Sequence, residues 1–99
     1  MRLSQLQIKT IKAEAIALFG DSVKVILFGS KVNDDAKGGD IDLMINVVKQ
    51  DDNLWRKVLR LNTNIQQKLG EQKIDIITKY QGQKLENIHK EALRTGVVL

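Results

Sequence analysis

The segment Asp40 to Val48, DIDLMINVV, alternates so cleanly that it fixes much of what this chain can become. Side chains of a strand point to opposite faces in turn. Ile41, Leu43, Ile45 and Val47 therefore share one face, and Asp40, Asp42, Met44 and Asn46 share the other. The aliphatic face must be core. The opposite face carries two carboxylates that a structural role alone does not require.

Neighbouring segments supply the rest of a sheet and its cover. Residues 23–28, VKVILF, form a nearly continuous apolar, β-branched run, the mark of a buried strand. Residues 73–78, KIDIIT, read as a third strand in which Ile74 and Ile76 point away from Asp75. Helices are expected over 3–19, with Ile8, Ile11, Ala15, Leu18 and Phe19 in one stripe. A second should run from a cap at Asp51 or Asp52 to about Leu69, burying Leu54, Val58, Leu61, Ile65 and Leu69. A third is expected over 83–94, presenting Leu85, Ile88 and Ala92, with Gly96 ending it. A short helical turn over Ser30–Asn33 leads into a polar loop with Asp34, Asp35, Lys37, Gly38 and Gly39. The order is α-β-(α)-β-α-β-α, a small α/β sandwich with helices against a short sheet. No repeat, linker or low-complexity stretch divides it, so residues 1–99 are expected to form one domain.

Composition narrows the function. With no cysteine, there is neither a disulfide framework nor a thiolate metal site. No apolar run approaches membrane-spanning length, and the N-terminus lacks a signal-peptide pattern, so a cytoplasmic protein is expected. The net charge of +4 is mildly favourable for phosphate-bearing ligands. There is no Lys/Arg block, however, and only Phe19, Phe28, Trp55 and Tyr80 are aromatic. A dedicated nucleic-acid binder is not indicated.

The chemistry gathers in residues 27–45 and at Asp75. A spacing of two puts Asp40 and Asp42 on one strand face, and Asp75 joins them if its strand is a neighbour. Two carboxylates ~4 Å apart repel by roughly 4 kcal/mol at an effective dielectric near 20. Protonation, a basic partner or a divalent cation relieves this. No His or Arg shares the strand face, and hard oxygen donors favour Mg²⁺ or Mn²⁺. Gly29 lets backbone approach a ligand closely, Ser30 opens a turn with free N–H groups, and Lys31 adds positive charge. Each part alone has a plainer reading: a surface D-x-D pair, an ordinary turn, an edge-strand acid that discourages aggregation. Together they describe metal-assisted attack on an α-phosphate, with two ions serving the incoming hydroxyl and the leaving pyrophosphate.

Gly29-Ser30, then Asp40-Ile41-Asp42-Leu43, then Ile74-Asp75-Ile76 resembles the nucleotidyltransferase superfamily that includes polymerase beta. The short length and the ending Thr95-Gly96-Val97-Val98-Leu99 resemble the minimal nucleotidyltransferases (MNT) of prokaryotes. The resemblance implies a mixed sheet flanked by helices, Asp40, Asp42 and Asp75 as metal ligands, and Asp75 assisting deprotonation of the acceptor. It further implies Gly29 and Ser30 on the triphosphate of ATP. Many MNT proteins are antitoxins paired with a HEPN-domain ribonuclease toxin, neutralised by AMP transfer to a toxin tyrosine. Two positions depart from the pattern: Lys31 replaces the frequent Arg, losing its bidentate fork, and Asp34 stands near a usual Gly. Those departures leave open a non-catalytic antitoxin that masks its partner by contact. Transfer to a small molecule of aminoglycoside type is a further alternative. Trp55 reads either as a partner anchor or as a residue closing the core, and His89 reads as a helix-surface residue.

Overall fold

The computed structural model describes residues 3–32 and 40–99; Asn33 and the expected loop with Asp34, Asp35, Lys37, Gly38 and Gly39 lie outside the described residues. Helix α1 covers Gln5–Phe19. Its start lies two residues later than the expected residue 3, because Ser4 caps it. The Ser4 N–H donates to Gln7 Oε1 at 2.8 Å, and the Gln7 N–H donates to Ser4 Oγ at 3.1 Å. This reciprocal pair satisfies two otherwise orphaned donors. Leu3 and Ile8, on either side of the cap, both pack into the main core.

Strand β1 (Lys24–Phe28) runs into a 3₁₀ turn at Gly29–Val32, followed by β2 (Ile41–Val47), helix α2 (Leu54–Leu69), strand β3 (Ile74–Tyr80), helix α3 (Asn87–Thr95) and a two-residue strand β4 (Val97–Val98). The sheet order is β3-β2-β1-β4. β1 is antiparallel to β2 and β4, whereas β3 lies parallel to β2. The sheet is mixed, as expected, and α2 is the crossover that parallel pairing requires.

Both faces of the sheet are covered. On one, Val25, Leu27, Ile41, Leu43, Ile45 and Ile74 pack with Ile11 and Ala15 of α1 and with Leu61 and Ile65 of α2. Complete burial of one such side chain stabilises by about 1.5–3 kcal/mol. On the other face, Ile26, Phe28 and Met44 pack under Ala92 of α3. The continuous apolar run of β1 foreshadows this double burial; the alternation of β2 does not, since Met44 shares the aspartate face yet is fully buried.

The structure corrects several expectations. Asn53, not an aspartate, occupies the N-cap of α2 and makes no side-chain cap bond. Asp51 is engaged instead with the Asn53 N–H at 2.8 Å and Lys57 Nζ at 2.6 Å. Helix α3 begins at Asn87 rather than Gln83, because Gln83 Oε1 accepts the Tyr80 N–H at 3.0 Å and holds a turn. His89 is buried, not on the helix surface. Its Nδ1 accepts the Glu86 N–H at 3.1 Å, so Nε2 carries the proton and donates to the Thr78 carbonyl at 2.9 Å. The Glu86-x-x-His89 spacing, that of a capping box, was the available clue. Strand β4 was not anticipated; two residues are too few to show a period. Among the described residues, no helix is long and apolar enough to cross a membrane.

Gly96 is where α3 turns into β4, and a Cβ there would overlap the Ala92 carbonyl oxygen and Ile26 Cγ2. We expect Gly96→Ala to destabilise the fold by about 1–3 kcal/mol, as overpacked cores do. Urea denaturation measures it; an unchanged midpoint would contradict this packing of α3 against β1.

Candidate active site

Parallel pairing sets Asp42 and Asp75 side by side, as Cα partners in the register that runs from Ile41↔Ile74 to Val47↔Tyr80. Partnered residues share a face, so the two carboxylates rise from the same side of adjacent strands. Asp40, just ahead of β2, follows the same alternation. The three acids of the sequence reading are thus brought together, Asp75 being exposed and Asp40 and Asp42 half-buried. Lys73, which precedes β3, places Nζ 3.4 Å from Asp40 Oδ2. A basic partner therefore exists for Asp40, a lysine carried by the neighbouring segment and not by its own strand.

Gly29 completes the setting from the β1 side. Its φ of +76° favours glycine, and a Cβ would overlap Asp42 Oδ2. The Asp42 carboxylate therefore lies against bare backbone at the start of the 3₁₀ turn. Lys31 sits half-buried within that turn. Ser30 belongs to the same turn, but its side chain lies outside what is described, as does Asp34. A recess of about 690 Å³ opens beside Gly29, between the turn and α3, and is bounded by Phe28, Val32, Asn87, Ile88 and Glu91. Phe28 is the Cα partner of Asp42, so the recess adjoins the acidic face. A somewhat larger recess, about 750 Å³, is lined by Val47, Lys49 and Asp51 at the far end of β2. It is remote from the carboxylates.

Electrostatics mark Asp42 as the strained member. Its carboxyl is pushed above the ordinary aspartate range by burial first, then by the charges of Asp75 and Asp40, with Lys73 opposing. Among the described residues, no group of three or more His, Cys, Asp or Glu stands as a ready-made metal cage. The donor set nevertheless fits a hard divalent ion. Mg²⁺ is commonly held by one or two carboxylates together with substrate phosphates, and the crowding around Asp42 is what such a charge relieves.

The family model described as Polymerase beta, Nucleotidyltransferase matches residues 7–99. The chain belongs to this family. A comparison with curated proteins found no match. Membership places the chain among nucleotidyl-transferring enzymes, a class that generally works with nucleoside triphosphates and divalent metals. The mixed four-stranded sheet and its three helices agree with the nucleotidyltransferase fold. Trp55 is not a core-closing residue in this domain: it is 59 % exposed, with the Arg56 guanidinium 5.2 Å from its ring centre.

The raised Asp42 pKa means the fold binds that proton more tightly than the unfolded chain does. Stability from this group is present at low pH and is lost as pH rises through the folded value. Ionised Asp42 thus weakens the metal-free fold at neutral pH. Asp42→Asn is expected to raise the melting temperature in EDTA and to flatten its dependence on pH between the acidic range and neutrality. A lower melting temperature would show that the carboxylate is structurally required.

Proposed function

We propose that this domain transfers a nucleoside monophosphate, AMP from ATP, to an acceptor hydroxyl, with Mg²⁺ as the ion. The acceptor is a tyrosine of a HEPN-type toxin, and the domain acts as its antitoxin. The observation that carries the catalytic reading is the register of Asp42 against Asp75, with Asp40 beside them.

In this reading the triphosphate lies along the 3₁₀ turn. Gly29 allows backbone to approach it, the turn's N–H groups bind its oxygens, and Lys31 adds positive charge. The nucleoside occupies the recess between the turn and α3. Asp40, Asp42 and Asp75 are the residues that would hold the ions. Bound Mg²⁺ neutralises the phosphate charge and eases ionisation of the acceptor hydroxyl. Asp75, the most exposed of the three, faces the acceptor and receives its proton. The acceptor oxygen then forms a bond to the α-phosphorus as the bond to pyrophosphate breaks. Lysine at position 31 supplies charge without a bidentate fork, which suits a site that orients phosphates mainly through backbone.

The test is incubation with a neighbouring HEPN-type protein, ATP and Mg²⁺, followed by intact mass measurement. One AMP per acceptor chain is expected, with the rate falling at least about a hundredfold in Asp42→Ala and Asp75→Asn. An adduct that forms equally well in both variants would remove these carboxylates from the chemistry. Protection of cells by Asp42→Ala at wild-type strength would leave contact alone as the antitoxin mechanism.

A further inference from the structure

Strand β3 lies at the edge of the sheet, and its outer side is only partly closed. The Ile41 N–H donates to the Lys73 carbonyl and the Gln81 N–H to the Val47 carbonyl. In an evenly spaced parallel ladder, those two bonds assign the odd-numbered residues of β3 to β2. The backbone groups of Ile74, Ile76, Thr78 and Tyr80 therefore point outward. At one end, Asn62 Nδ2 donates to the Ile74 carbonyl at 3.3 Å. At the other, Gln83 accepts the Tyr80 N–H and His89 donates to the Thr78 carbonyl. Between them, among the described residues, the N–H and C=O of Ile76 and the N–H of Thr78 have no partner. An open stretch of this kind is a template for another strand.

We propose that this edge pairs with the same edge of a second copy, antiparallel about a two-fold axis at Ile77. The strand's own charges select that occupant. Asp75, Ile77 and Lys79 share one face at spacings of two, the face of Asp42, Met44 and Asn46. Centred on Ile77, an antiparallel copy sets Asp75 opposite the partner's Lys79, and Lys79 opposite the partner's Asp75. Ile77 meets its own mate. Ile76 and Thr78 become reciprocal hydrogen-bonded pairs, the Thr78 carbonyl using its second lone pair. Opposite charges and apolar pairs directly across strands are the favourable combinations.

The apolar surface beside the edge agrees. Leu54, Trp55, Val58 and Leu59 of α2 wall a recess of about 730 Å³ along β3, and Trp55 and Leu59 are each 59 % exposed. Nothing in the fold of one copy explains two large neighbouring apolar side chains left in water; a second strand along β3 gives them cover. The other sheet edge, β4, has only two residues and offers no comparable ladder. Pairing also brings the partner's Lys79 beside Asp75, so each copy contributes a cation next to the other's acidic site.

The chain has no cysteine, which makes the decisive experiment simple. Across a non-hydrogen-bonded antiparallel pair, Cα atoms stand about 4.5 Å apart, within the disulfide range. Ile77→Cys is expected to form a covalent dimer under mild oxidation far faster than Val98→Cys on the opposite edge. Sedimentation of the full chain over micromolar to submillimolar concentrations should show a monomer–dimer equilibrium. Lys79→Glu should weaken it about tenfold or more, by opposing like charges twice. Thr78→Pro should abolish it while keeping the β2 ladder, because the lost N–H faces outward. A wild-type chain that sediments as a monomer throughout overturns the proposal. So does equal cross-linking at positions 77 and 98, or a dimer indifferent to Lys79→Glu; the surface charge change leaves the core untouched should the proline variant fail to fold.

Discussion

Two carboxylates held at the same height on adjacent parallel strands repel one another, and the domain is organised around that cost. Asp42 is partly withdrawn from water by the sheet and by the 3₁₀ turn, with Asp75 beside it and Asp40 two residues away. Nothing about packing requires this. An apolar or neutral pair in the same register would stabilise the sheet more, since like charges across strands are unfavourable. The strain is therefore better read as preparation for a ligand of opposite charge, in keeping with the perturbed groups found at functional sites. Lys73 relieves Asp40 in part, and its side chain is largely exposed, so its hold is weak.

What keeps the acids in place is the core beneath them. The fully buried faces of β1 and β2 prevent either strand from slipping, because a shift of one residue would exchange Leu43 and Ile45 for Asp42 and Met44. Gly29 works from the other side. Only a residue without Cβ leaves room for Asp42 Oδ2 where the chain leaves β1, so turn and carboxylate share one volume. The backbone of the turn and the acidic side chain are consequently fixed relative to each other by sterics.

Much of this was legible in the residues. Alternation in DIDLMINV announced β2 and the shared face of Asp40 and Asp42, and the Gly-Ser pair after an apolar strand announced the turn at Gly29–Val32. Asp75 could be placed on a strand, but its height against Asp42 could not, because register is decided by pairing across the whole ladder. The polar arrangements at Asn53 and Gln83 were hidden for a related reason, and only the Glu86-x-x-His89 spacing hinted at that of His89. Each depends on which neighbour a side chain reaches in space, and polarity alone suggested the surface for His89. Trp55 shows the converse: an aromatic residue beside an apolar stripe looks like core, yet α2 rotates it outward while Leu61 and Ile65 take the interior.

β3 carries both Asp75 of the candidate site and the open sheet edge. Because the chain leaves β2, crosses through α2 and returns parallel, β3 is laid down on the outside of the sheet. Asp75, on such a strand, is more exposed than Asp40 and Asp42. That position also leaves outward N–H and C=O groups and keeps α2 from covering the whole of its neighbour. The exposure of Asp75 and the openness of the sheet edge thus have one structural cause. The edge is closed by Asn62 at one end and by Gln83 and His89 at the other, and the unclosed middle lies next to Asp75.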